Sequence, residues 1–99
     1  MLKIKKNKED KKLTVSLAGR LDTSGAPKLE DELMPSLAGV ADLDIDLREL
    51  TYISSAGLRV FLAAQKVMDI QGQMVISGAS DEVTEIFEDT GFIDILNLV

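Results

Sequence analysis

The chain has 99 residues, a formal net charge of -6 and neither cysteine nor histidine. That length suffices for one domain with its own core, while the composition excludes disulfides, thiol nucleophiles, imidazole bases and zinc sites of the usual kind. The acidic balance argues against a nucleic-acid partner, which wants a lysine and arginine surface.

The N-terminal "MLKIKKNKEDKK" is basic, but acids interrupt it and no apolar core of signal-peptide length follows, so it does not read as targeting. No run approaches the ~20 apolar residues that cross a bilayer. The expectation is a soluble, cytoplasmic, single-domain chain, residues 1–99, without direct membrane insertion.

In chain order, Leu2 and Ile4 alternate with lysines, and Leu13, Val15 and Leu17 alternate after a charged stretch. This pattern predicts a hairpin whose first strand is an exposed edge. A helix is expected from near Pro27, with Leu29, Leu33 and Leu37 on one face and Pro35 kinking or shortening it. Leu43, Ile45 and Leu47 alternate with Asp44, Asp46 and Arg48, which predicts a strand with one polar side. A long apolar helix follows, to about Ile70, and "QGQ" turns into a strand at Met74–Ser77. Ser80 is placed to cap a third helix that carries Asp81 and Glu82 in its first turn and ends at Gly91. "FIDILNLV" reads as a last strand. Together these give an α/β sandwich with a mixed, mostly parallel sheet of about five strands and helices packed on it.

The junction "YISSAGLRVFL" sets two hydroxyls and a glycine where strand becomes helix. Ser55 reads as the N-cap, its oxygen accepting from a free first-turn amide. Free amides and the positive helix end also welcome a phosphate there. Gly57, lacking a side chain, lets another protein's backbone approach the hydroxyl. On a helical projection Val60, Phe61, Ala63, Ala64, Val67 and Met68 gather on a core-facing side. Leu58 and Leu62 fall instead among Arg59, Gln65, Lys66 and Asp69. The expectation is an exposed apolar anchor of Leu58 and Leu62 with Arg59 at its rim, as near an interface centre, the alternative being that a neighbouring loop covers Leu58.

"GRLDTSGAP", "DLRELTYISSAGLRVFL", "QGQMVISGAS" and "FEDTGFIDIL" together resemble the STAS fold, in particular the bacterial anti-sigma factor antagonists. That family often reads Asp-Ser-Ser/Thr-Gly at this turn, with the first hydroxyl residue after the aspartate phosphorylated. Placing Gly57 on the family glycine puts Ser55 on the phosphoacceptor, Ser54 on the usual aspartate and Ala56 on the second hydroxyl residue. The resemblance implies a partner switch without a cofactor of its own. The unphosphorylated domain binds an anti-sigma factor that is also a serine kinase, phosphorylation at Ser55 releases it, and a phosphatase resets the cycle. Asp22 matches a family acid on the loop facing the turn, so the resemblance makes it a partner or phosphotransfer contact, with Thr23 and Ser54 on the same surface. Read from the residues alone, Asp22 is equally an Asx turn or cap. Asp46 is assigned to structure and Asp44 to a solvated strand position. The sequence ends at Val99 without the final helix that the resemblance implies for many relatives, so a more open sheet edge or face is expected.

Two other readings stand beside the switch. An enzyme or nucleotide hydrolase lacks its motifs here, with no glycine-rich Walker lysine loop and no nucleophile beside an obvious base. A STAS subunit of a membrane transport or lipid-trafficking complex would not need a phosphorylatable serine.

Overall fold

The computed structural model describes residues 2–99. β1 (Leu2–Glu9) and β2 (Lys12–Leu21) form the expected antiparallel hairpin, in register from Leu2 opposite Gly19 to Glu9 opposite Lys12. β1 is the sheet edge, and Lys3, Lys5, Lys6 and Lys8 along it are exposed. A lysine-studded edge resists pairing with a second chain.

α1 (Gly25–Leu33) starts two residues before Pro27 and buries Ala26, Leu29 and Leu33. It gives way to a 3-10 turn, Met34–Leu37, where Pro35 cannot supply an amide to continue the α-helix. β3 (Asp42–Ile53) then pairs parallel to β2, and α2 (Ser55–Gln71) returns the chain to β4 (Gln73–Ser77), parallel to β3. The spatial order is β1-β2-β3-β4. α3 (Asp81–Thr90) begins as expected, with the Ser80 hydroxyl accepting from the Val83 amide at 3.2 Å, and ends on Gly91 at φ 79°.

Leu13, Val15, Leu17 and Leu21 of β2, with Leu43, Ile45 and Leu47 of β3, make the buried sheet face. Phe61 of α2 stacks on Phe87 of α3 with centroids 6.3 Å apart, and α1 packs beside α2. Across the opposite face the polar side chains of β3 find partners. The Asp44 carboxylate accepts from the Ser77 hydroxyl at 2.8 Å, so it ties β3 to β4 rather than standing in solvent. Asp46 takes a two-point grip on the Arg48 guanidinium, at 3.1 and 2.7 Å, the structural role expected of it.

The last segment corrects the sequence reading. The sheet has four strands among the described residues, and Phe92–Asp94 is a 3-10 turn. Apolar residues at 92, 93, 95 and 96 repeat every three residues, a turn-like period, and the amides of Ile95 and Leu96 both reach the Phe92 carbonyl. What survives of the strand is one parallel bridge, Ile76 to Leu98, with bonds of 2.8 and 2.9 Å.

β3 also runs further than its alternation suggests, because it is bulged. Between Asp46 and Tyr52 the register against β2 slips twice, each time with an extra residue on β3. Each bulge turns the strand by one side-chain position, so the inward set passes from Leu43, Ile45 and Leu47 to Leu50 and Ile53. The second slip brings Ile53 opposite Leu21, and this sets where the serine turn emerges.

Candidate functional site

β2 and β3 are parallel neighbours that end on the paired residues Leu21 and Ile53. The loops that follow them therefore leave side by side at the carboxyl edge of the sheet, where α/β folds place their ligands. The Ser54 amide donates to the Leu21 carbonyl at 2.8 Å and holds the two loops together. Asp22 and Ser55 thus belong to one surface, as expected.

Helix α2 begins one residue earlier in the cap than the sequence suggested. Ser54, not Ser55, is the N-cap, its hydroxyl oxygen accepting from the Gly57 amide at 3.1 Å. Of the four amides that a helix start leaves free, Ser54's goes to Leu21 and Gly57's to the cap. Those of Ser55 and Ala56 remain, with no bond to an acceptor among the described residues. Ser54 is 7% exposed, so its hydroxyl is committed and shielded, whereas Ser55 is exposed at the first helical position. Aspartate and serine are equally good N-caps, so Ser54 does the capping work that an aspartate could do at this position.

Ser54→Ala should accordingly cost about 0.5–2 kcal/mol as a lost cap, and Ser55→Ala less than about 0.5 kcal/mol as a surface change. Ser54→Asp should recover most of the first loss. Urea denaturation of the three variants checks this ordering.

Gly57 has a different role from the one assigned to it. It is buried, and a Cβ added there would lie 2.7 and 2.8 Å from Leu21 carbons and 3.1 Å from Ile53. The glycine lets the first turn of α2 sit against the end of the sheet, rather than admitting a partner's backbone. Gly57→Ala gains up to about 1 kcal/mol of helix propensity but overpacks this contact at about 1–3 kcal/mol. A net loss of stability is expected in thermal unfolding, together with displacement of the turn.

The same seating explains Leu58, which is 1% exposed and belongs to the core. The exposed anchor of two leucines is therefore not formed. A helical projection weighs only the face toward the sheet, whereas the first turn of α2 is also seated on Leu21 and Ile53 at Gly57, and α1 packs beside the helix. Ser54, Gly57 and Leu58 thus leave the set of surface residues. Leu62 is half-buried and Arg59 exposed. At about 100° per residue, Ser55, Arg59, Leu62 and Lys66 follow one another along the outward face of α2.

On the neighbouring loop the Asp22 carboxylate accepts from the Gly25 amide at 2.8 Å and from the Ser24 hydroxyl at 2.9 Å. These bonds, the Gly25 amide first, hold its carboxyl below the usual carboxylate range. Asp22 is thus an Asx-type cap on the entrance to α1, and still charged at the surface beside the turn. Thr23 next to it is exposed.

One pair is not legible in the sequence. The Arg20 guanidinium lies 4.4 Å over the ring of Tyr52, its partner in register across β2 and β3. Alternation does not reveal it, because the pairing exists only after both bulges have shifted the strands. A groove of about 550 Å³ lies further along this sheet face, lined by residues including Lys3, Lys5, Ser16 and Arg48, and Ser55 is not part of it. No helix of the described residues is long and apolar enough to span a membrane.

A four-stranded mixed sheet with the serine-capped start of a helix at its carboxyl edge is the frame of a STAS-type domain. A family model described as "Mlab, STAS domain" matches residues 4–98. The anti-sigma-B factor antagonist of Bacillus subtilis is 33% identical over 96 residues, covering 96% of this chain and 86% of that protein. The chain belongs to the STAS domain family and, within it, to the anti-sigma factor antagonists. Among solved structures, an anti-sigma factor antagonist from Mycobacterium paratuberculosis superposes with a TM-score of 0.89 at 21% identity, over 99% of this chain and 85% of that one. The Bacillus cell fate determinant SpoIIAA in its phosphorylated form gives 0.76 at 13% identity, over 98% and 91%. These likenesses confirm the fold expected from the sequence.

Proposed function

We propose that this domain is a phosphorylation-controlled antagonist of an anti-sigma factor, acting in the cytoplasm as a single binding module over residues 1–99. Unphosphorylated, it binds an anti-sigma factor that is also a serine kinase and so frees a sigma factor. The observation that carries this reading is the division of labour between adjacent serines. Ser54 is buried in the cap and Ser55 is exposed beside two free amides. Ser55 Oγ attacks the γ-phosphorus of kinase-bound ATP, the bond to ADP breaks, and the hydroxyl proton passes to a base on the kinase. A separate phosphatase hydrolyses the ester and resets the switch. The domain itself holds no catalytic residue in this scheme.

The docking surface is centred on Ser55 and takes in Asp22, Thr23, Arg59 and Leu62. Arg20 and Tyr52 extend it along the strand ends, an arginine and a tyrosine being common anchors of interface centres. The backbone of Ser54 and Gly57 supports this surface from beneath.

The test is the nucleotide dependence of the complex with the kinase of the same genome. Wild-type domain should co-elute with it in the absence of ATP and separate when ATP and magnesium are added, while Ser55→Ala stays bound in both. Separation of the Ser55→Ala complex on adding ATP would refute the switch.

A further inference from the structure

We propose that the phosphate on Ser55 is held within the domain by Arg59, one helical turn along α2, so that phosphorylation staples the first turn of the helix. This rests on the reading of Ser55 as phosphoacceptor. Both residues are exposed, and the spacing i, i+4 places them as neighbours on the helix surface. The sign order is the favourable one, with the anion N-terminal to the cation.

Arg59 is also available. The ion pair found among the described residues is that of Arg48 with Asp46, and Arg59 takes part in no side-chain hydrogen bond there. α2 carries no acid in its first turn to compete, and its Asp69 is engaged by the Gln65 amide at 2.8 Å. A guanidinium is moreover the group that meets phosphate with two parallel bonds, each charge-assisted. Before phosphorylation Arg59 is free to meet a partner. Afterwards its own chain's phosphate occupies it, so one event adds negative charge to the docking surface and withdraws a positive group from it.

The test needs no kinase. Full-length chain with phosphoserine installed at position 55 during translation is compared with the same protein carrying Arg59→Gln or Arg59→Lys. Phosphorus NMR should put the second ionisation of the phosphate lower in wild type than in Arg59→Gln by about 0.15–0.4 of a pH unit, with Arg59→Lys between them. Asp22, the acid on the adjoining loop, raises it equally in all three. The melting temperature should rise on phosphorylation in wild type and by less in Arg59→Gln, and 1 M salt should close the gap. Equal ionisation midpoints in wild type and Arg59→Gln would overturn the pairing. A kinase that leaves Ser55 unmodified would instead overturn the reading of the acceptor, without touching this result.

Discussion

Leu58→Ala is expected to lower the free energy of unfolding by about 2–5 kcal/mol, and Leu62→Ala by less than about 1 kcal/mol. The two leucines lie one turn apart on α2 and look equivalent by periodicity. Leu58, however, is 1% exposed within the core cluster that joins Leu21, Ile53 and Phe61, whereas Leu62 stands outside that cluster. Truncating the first leaves a cavity under the serine turn, while truncating the second removes contacts that are already half in water. Against a total stability of about 5–15 kcal/mol for a domain, the first loss is a large fraction. Urea titration of both variants should show a much lower midpoint for Leu58→Ala with an unchanged slope, and a near-native curve for Leu62→Ala. Leu62→Ala is therefore the variant whose binding reports on the surface. It should weaken the kinase complex by more than about 1 kcal/mol, the scale of an interface hot spot.

A phosphate at Ser55 is expected to weaken the complex by at least about tenfold, and Ser55→Asp by less, with neither destabilising the fold. The first helical position of α2 tolerates a negative charge, because the helix dipole favours it by about 0.3–1 kcal/mol at an exposed site. Loss of binding in a fully folded variant must then arise at the interface. The modification adds about 1.5–2 negative charges. One pair of like unit charges ~4 Å apart at an effective dielectric of ~20 costs about 4 kcal/mol, which is roughly a thousandfold in affinity. Solvent at the rim reduces this, and a quarter of it for each phosphate charge still exceeds a tenfold change. Isothermal titration of the phosphorylated, Ser55→Asp and wild-type domains against the kinase checks the order, with circular dichroism confirming that each is folded.

Most of the scaffold that presents this turn is local and was legible in the chain. Leu13, Val15 and Leu17 alternate because one face of β2 is buried. Ser80 and Gly91 bracket α3 because a hydroxyl and a left-handed glycine satisfy its ends. Pro35 stops α1 by lacking an amide. What escaped the sequence depends on contacts between distant segments. The two bulges in β3 exist only against β2, and they decide both that Ile53 points inward and that Arg20 meets Tyr52. The cap was misplaced by one residue because Ser54 and Ser55 are chemically alike. The choice between them is made by the Leu21 carbonyl, which binds the Ser54 amide and turns that residue's hydroxyl toward Gly57. Periodicity puts Leu58 on the outer face and the missing side chain of Gly57 suggests an open approach, and neither records that Leu21, at the end of β2, lies against Gly57. The family turn pattern carried the reading of Ser55, and the buried cap adds a physical reason why its neighbour is protected.

The most direct measurement is the site of phosphorylation. The wild-type domain is incubated with the serine kinase of its own genome, ATP and magnesium, then digested and analysed by mass spectrometry. A single phosphate on Ser55, absent from Ser55→Ala, is the result expected. Phosphate mainly on Ser54, Thr51 or Thr23, or undiminished phosphate on Ser55→Ala, would contradict it.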